Sequence, residues 1–162
     1  MASQYASSTT VSSERTEAEI RRLLVKHGAT AFMSGQRADL AAVSFEIADR
    51  QIRLLLPLPD RESDEFVLTP GRGRRRHPDD AQRAWEQACR SSWRALLLII
   101  KAKLEAIASG ITTVEREFLA DVVLPDKSTV GEWAAEQLAV AYSSGGMPAL
   151  LPGTSRLGGG AQ

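Results

Sequence analysis

Residues 40–58 read LAAVSFEIADRQIRLLLPL, two runs in which apolar side chains recur at every second position. One face of the two runs carries Ala41, Val43, Phe45 and Ile47, followed by Ile52, Leu54, Leu56 and Leu58. A period of two is typical of a strand with one buried face. Asp49-Arg50 between the runs predicts a tight hairpin connection, and Pro57 predicts that the second strand ends there or lies at a sheet edge.

The sequence before this hairpin predicts a helix and one more strand. Thr16 as N-cap with Glu19 three residues later forms a capping-box pattern, and Gly28 is a left-handed stop, so we expect a helix over 17–27. Residues 29–34 then alternate with period two and predict a first strand. Three sequential strands with short links make an antiparallel meander.

The sequence after the hairpin predicts three helices. Pro78 followed by acidic residues starts a helix that meets no strong breaker before Gly110, so residues 78–108 form a spine about 46 Å long at 1.5 Å per residue. Its expected apolar face carries Ala81, Trp85, Ala88, Cys89, Leu96, Ile99, Ile100 and Ile107. Capping boxes at Thr112/Glu115 and Thr129/Glu132 start two shorter helices, the last of which ends at Gly145-Gly146. The fold class is α+β.

The chain of 162 residues is expected to form one domain. We predict a disordered tail at 1–15, a single α+β domain at 16–145 with a basic loop at 70–77, and a flexible tail rich in glycine and proline at 146–162. Cys89 is the only cysteine, which excludes an intramolecular disulfide and favours a reducing compartment. The start of the chain has no secretory pattern, and the longest apolar run, Ala95–Ile100, is far too short to span a bilayer. These observations predict a cytoplasmic protein without a membrane partner.

The net charge is zero, but the charges are distributed unevenly. Residues 71–103 contain nine positive and three negative side chains, and the rest of the chain has the opposite excess. The segment PGRGRRRH, residues 70–77, is called the arginine loop below. Arg83, Arg90, Arg94 and Lys101 fall within about 40° of one another on the helical projection, opposite the expected Trp85 to Ile107 apolar face, and this set is called the basic stripe.

A row of cations is suited to bind the phosphates of a nucleic acid, in a manner that is independent of base sequence and sensitive to salt. The predicted phosphate contacts are Arg72, Arg74, Arg75, Arg76, Arg83, Arg90, Arg94 and Lys101. Trp93, about 80° from the basic stripe, is the candidate to stack on a base. Single-stranded DNA is the favoured partner. The simpler interpretation of the basic stripe is a solvated helix face, and the arginine loop has an alternative partner in the chain's own acidic residues 60–65.

Signals of catalysis are weak. No GxGxxG, P-loop or HExxH motif occurs, neither histidine has a sequence-local nucleophile or metal-ligand partner, and Cys89 falls on an apolar helix face, where an inert thiol is expected. The prediction is therefore a protein that is not an enzyme, without cofactor, metal or small-molecule substrate. The alternative function is a non-enzymatic assembly or interaction module, in which the acidic part of one copy meets the basic helix of the next, or which modulates a host protein.

Two segments carry a resemblance to known proteins. WRALLLIIKAKLEAIASGI (93–111) and FLADVVLPDKSTVGEW (118–133) are similar to a family of small proteins encoded by actinobacteria and their phages and prophages, over roughly residues 16–152. The resemblance transfers no catalytic residues and implies a phage or mobile-element context. The order helix, three-stranded meander, long basic helix also resembles the core of single-strand annealing proteins of phage recombination, which implies oligomerisation and a basic groove for single-stranded DNA.

Overall fold

A three-stranded antiparallel sheet lies at the centre of the chain, of which the computed structural model describes residues 12–146. The strands are β1 (Ala31–Gln36), β2 (Leu40–Ile47) and β3 (Arg50–Pro57), adjacent in that order. The helices are α1 (Ser13–Lys26), α2 (Asp64–Val67), α3 (Pro78–Ala108), α4 (Val114–Phe118) and α5 (Val130–Ser144), with a 3₁₀ turn at Leu119–Asp121. The predicted α+β class and element order are confirmed, and the short helix α2 is an addition.

The β2–β3 hairpin joins the two predicted strands, but it turns one residue earlier than predicted. Ile47 pairs with Arg50, which leaves Ala48 and Asp49 as a two-residue turn. Both have positive φ, 50° and 56°, as a type I′ turn requires. A type I′ turn matches the right-handed twist of the two strands. This match outweighs the cost of placing two residues other than glycine at positive φ.

The core lies between one face of the sheet and the helices α1 and α3. The alternating residues of β2 and β3 are buried as predicted, with Val43 and Ile52 fully inaccessible, except that Leu56 is only half-buried. They pack with Ile20 and Leu24 of α1 and with the buried side of α3. Val122 forms an isolated bridge with Ile52, so part of the free edge of β3 is covered.

Helix α1 starts earlier than predicted. Its N-cap is Ser12, whose hydroxyl accepts a hydrogen bond from the backbone N–H of Arg15, so residues 13–15 form the first turn of α1 rather than part of a disordered tail. Thr16 is completely buried inside the helix and donates its hydroxyl to the Ser12 carbonyl. The prediction of a capping box at Thr16 and Glu19 is therefore wrong, because Ser12 caps the helix one turn earlier. Gly28 has φ 94° after the helix end, in agreement with the predicted stop.

Helix α3 has the predicted bounds, but its buried face is rotated. The buried residues of α3 are Cys89, Ser91, Trp93, Leu96, Leu97, Ile100 and Leu104, whereas Ile99 is 52% exposed. At 100° per residue this face is centred roughly 60° nearer to the basic stripe than the predicted face. The rotation follows from the packing of α1 beside α3, which covers a second side of the long helix.

The C-terminal helices follow their predicted caps closely. Thr129 and Glu132 form a complete capping box at the start of α5, and Gly145 ends the helix with φ 68°. Helix α4 is capped by Thr113, one residue later than predicted. The remaining parts of the predicted tails, residues 1–11 and 147–162, lie outside the described residues. None of the helices in the described part of the chain is long and apolar enough to cross a membrane.

Candidate functional site

The arginine loop has a defined backbone conformation. Leu68 and Arg75 form an isolated antiparallel bridge, and the N–H of Thr69 donates to the carbonyl of Arg74 at 2.7 Å. Gly71 and Gly73 adopt positive φ, 79° and 58°, which lets the chain reverse within these few residues. The loop is therefore a tight, hydrogen-bonded turn.

Both ends of the arginine loop are attached to the body of the protein. Before the loop, Phe66 of α2 is only 5% exposed, and α2 packs on α3. After the loop, the chain continues directly into Pro78 at the first position of α3. Arg76 contributes to this attachment, because its Nε donates to the Leu68 carbonyl at 2.9 Å. Arg76 thus has a structural contact that the sequence did not predict.

Arg72, Arg74 and Arg75 are exposed, and none of them makes an ion pair with another described residue. The nearby acidic segment 60–65 was the alternative partner for the loop. No ion pair within 4 Å joins that segment to the loop in the described chain. The three guanidinium groups are therefore available to an external anion, and a guanidinium can bind a phosphate through two parallel hydrogen bonds.

Two open clefts flank the arginine loop and share Arg75 and Arg76 as a common wall. The residues of the first cleft are Thr69, Arg75, Arg76, His77, Asp80 and Arg83. Those of the second are Arg61, Glu62, Val67, Arg75, Arg76, Pro78, Ala81 and Gln82. Thr69 and Arg61 are additions to the predicted site. Thr69 also accepts a hydrogen bond from the N–H of Arg74 at 3.1 Å, so it supports the same loop.

The first cleft contains its own carboxylate, Asp80. Arg83 donates to Asp80 at 2.6 Å, and this hydrogen bond lowers the pKa of Asp80. His77 caps α3 by accepting from the N–H of Asp79 at 3.4 Å. Because Arg83 is already paired, the cations of this cleft without an ion pair among residues 12–146 are Arg75 and Arg76.

The basic stripe does not form a continuous ridge. Arg94 donates to Glu19 of α1 at 2.9 Å, with 32% and 44% of the two side chains exposed, so it joins α3 to α1. Arg90 is half-buried and donates twice to Gln87, at 2.7 and 3.2 Å. The expectation that the basic stripe lies opposite the apolar face is wrong, because the rotated core places the stripe about 90° from the centre of the buried face, beside α1.

Lys101 is exposed, but it is distant from the arginine loop. Eighteen residues of continuous helix separate it from Arg83, a distance of about 27 Å at 1.5 Å per residue. The two members of the stripe between them, Arg90 and Arg94, are both engaged within the chain. Lys101 therefore belongs to a different part of the surface.

Trp93 is part of the core and cannot stack on a base in this conformation. It is 1% exposed, and its indole N–H has no hydrogen-bond partner in the described chain. Trp85 is half-buried near the arginine loop, where its Nε1 donates to the Pro59 carbonyl at 2.8 Å. The guanidinium of Arg61 lies 5.7 Å from the centre of the Trp85 ring, a cation–π contact.

The residues with catalytic potential are dispersed. Cys89 is 6% exposed, and burial raises the pKa of its thiol, as expected for an inert cysteine. Within residues 12–146, no group of three or more histidine, cysteine, aspartate or glutamate side chains is placed to hold a metal ion. Comparison of the chain with protein-family models, with curated proteins and with solved structures finds no match. The candidate site is therefore defined by its own geometry, and its centre is the arginine loop.

Proposed function

We propose that this protein binds single-stranded nucleic acid, preferably DNA, through the arginine loop. The observation that carries the proposal is the group of three exposed guanidinium groups, Arg72, Arg74 and Arg75, on a hydrogen-bonded turn without a carboxylate partner in the described chain. A fixed turn loses little backbone conformational entropy when it binds, so a small number of charges can give a useful affinity. Arg76, Arg83 and Thr69 border the same turn and would complete the contact with the phosphates.

A single strand suits this site better than a duplex. The exposed cations occupy one turn rather than a long ridge, and a flexible strand can bring neighbouring phosphates to such a small cluster. The resemblance of residues 93–111 and 118–133 to phage and prophage proteins leads us to propose a role in phage or mobile-element replication or recombination. Binding by charge alone is independent of base sequence, which suits such a role.

The direct test removes the three loop charges. The triple variant Arg72→Ala, Arg74→Ala, Arg75→Ala should lose at least about tenfold in affinity for a labelled oligonucleotide at low salt, measured by fluorescence anisotropy. A control variant should remove the same total charge elsewhere, at Arg21, Arg22 and Arg116, which are exposed and make no ion pair with another described residue. Equal losses in the two variants would mean that only net charge matters, and the proposal would then be wrong.

A second candidate function is a non-enzymatic assembly module. One observation favours it: Leu98 and Ile99, in the middle of α3, are 39% and 52% exposed. A contiguous exposed apolar patch marks a contact between proteins, and these two neighbouring side chains are the candidate for part of such a patch. Light scattering on the purified chain separates the two candidates, since a strict monomer that binds DNA contradicts the assembly module.

A further inference from the structure

The two clefts that flank the arginine loop differ in chemistry. The first cleft, which contains Asp80 and Arg83, has only polar or charged side chains among its described residues. Its carboxylate is paired with Arg83 at 2.6 Å, so it opposes a bound phosphate only weakly. The second cleft has Val67, Pro78 and Ala81 in its wall, so part of its surface is apolar. A phosphate suits the first cleft, and a partly apolar group suits the second.

The second cleft also contains a carboxylate with a free negative charge. Glu62 is exposed and makes no ion pair with another described residue. Such a carboxylate repels a phosphate, whereas it can accept a hydrogen bond from the amino group of a base. The volume of this cleft, about 160 Å³, is below the roughly 300–1,000 Å³ of pockets that enclose drug-sized ligands. One flat ring is therefore a more suitable occupant than a phosphate or a length of strand.

Arg61 offers a flat surface in the wall of the second cleft. Its guanidinium lies 5.7 Å from the centre of the Trp85 ring, and the Trp85 ring is held in place by its hydrogen bond to the Pro59 carbonyl at 2.8 Å. Arg61 lines the second cleft and Trp85 does not, so the guanidinium is the part of this pair that meets the cleft. A planar guanidinium supported by an indole ring is a surface on which a base can stack.

Arg75 and Arg76 belong to the walls of both clefts. Arg76 is anchored by its hydrogen bond to the Leu68 carbonyl, whereas Arg75 is exposed and makes no ion pair with another described residue. A nucleotide carries its phosphate at one end and its base at the other. It can therefore span this shared wall, with the phosphate on the side of the first cleft and the base in the second.

We propose that the second cleft is a base subsite, in which one base of the bound strand stacks on Arg61 while the neighbouring phosphate binds Arg75. The proposal rests on the nucleic-acid binding proposed above and deepens it. Contacts with phosphates alone do not distinguish a nucleic acid from another polyanion, whereas a base subsite does. Glu62 favours a base with an exocyclic amino group, such as cytosine, because that group can donate to the carboxylate.

The test compares two strands with identical phosphates, measured by fluorescence anisotropy on the full chain at low salt. One is a labelled strand of about ten deoxycytidines, within the range of known single-strand sites, and the other has an abasic tetrahydrofuran in place of every nucleoside. The ratio of the two affinities isolates the contribution of the bases. For the wild-type chain we expect the cytidine strand to bind about fivefold more tightly or better, as is typical of one stacked base.

Two charge-conserving variants locate the base. Arg61→Lys keeps the positive charge but removes the planar group, so the affinity ratio should fall to about twofold or less. Arg72→Lys is the matched control, because Arg72 is an exposed loop arginine outside the walls of both clefts. Any loss of affinity in this control should be the same for both strands and should leave the ratio at its wild-type value. Both side chains are exposed, so each variant should keep the wild-type circular dichroism spectrum.

The outcomes that overturn the base subsite are distinct from those that overturn nucleic-acid binding. Equal affinity of the wild-type chain for the two strands would reject the base subsite and leave phosphate binding at the arginine loop intact. Absence of binding to either strand at low salt would reject both proposals. A wild-type ratio that persists in Arg61→Lys, or that falls equally in Arg72→Lys, would show that the base contact lies elsewhere and would also reject the subsite.

Discussion

The salt dependence of oligonucleotide binding distinguishes a site confined to the arginine loop from a site that extends along α3. If the three exposed loop arginines bind phosphates, with or without one further cation at Arg76 or Arg83, they would contact three to four phosphates. For a single strand this predicts a slope of about −2 to −3 in a plot of log affinity against log salt concentration. Between about 50 and 200 mM salt, affinity should fall by about 20- to 50-fold. If all eight cations in the loop and stripe bound phosphates, the fall would be about 2,000-fold.

The perturbation is the replacement of Arg72, Arg74 and Arg75 by alanine, and the assay is fluorescence anisotropy with a labelled single strand at a series of salt concentrations. If the loop supplies most of the phosphate contacts, as proposed, the variant should retain a slope between 0 and about −1. The variant at Arg21, Arg22 and Arg116 should keep the wild-type slope. A wild-type slope near −6, or an unchanged slope in the loop variant, would refute the reasoning, since the contacts would then lie elsewhere.

Three further predictions concern stability. A double-mutant cycle on Glu19 and Arg94, measured by urea denaturation, should give a coupling free energy of about 0.5 kcal/mol, as expected for a half-exposed ion pair. Arg94→Ala should leave the oligonucleotide affinity nearly unchanged. Burial raises the pKa of Asp121 in the folded protein above its value in the unfolded chain. The stability of the fold therefore decreases as pH rises from the unfolded pKa through the folded pKa, because the carboxyl group becomes ionised while it is partly buried. Asp121→Asn should therefore raise the melting temperature at neutral pH, with no gain at pH values below the ordinary aspartate pKa; equal gains at both would contradict this cause. Gly131→Ala should destabilise the protein by about 1 kcal/mol or more, because the new Cβ atom would lie too close to the backbone of Ala120. This cost exceeds the higher helix propensity of alanine. A higher melting temperature for this variant in calorimetry would contradict the close contact.

Local signals predicted the elements well where one hydrogen-bonding pattern dominates. The capping box at Thr129 and Glu132 and the bounds of α3 agree with the sequence prediction, because a cap or a proline acts within one turn of its own position. The same logic was wrong at Thr16, because a competing cap at Ser12 starts the helix one turn earlier. The short helix α2 gave no periodic signal, since four residues are too few to establish a period.

The candidate site was predictable only in part. The arginine loop was evident as a dense cluster of charge in a segment without periodicity, and its exposure agrees with that prediction. The basic stripe was defined by a projection of one helix, which contains no information about α1. Arg94 is engaged by Glu19, 75 residues away in sequence, and no local pattern predicts a contact over that distance. The roles of Thr69 and Arg61 in the clefts likewise depend on chain reversal.

The sequence by itself determined which segments form strands and helices, which side of the hairpin is buried, and where the positive charge is concentrated, because these properties depend on side chains within a few positions of one another. Only the tertiary structure decided how α3 is rotated. That rotation follows from the packing of α1 and the sheet against two sides of one helix, and it buries Trp93 while leaving Ile99 exposed. The same packing separates the exposed arginines of the loop from the engaged arginines of the basic stripe, because burial and ion pairing depend on neighbours that are distant in sequence and close in space.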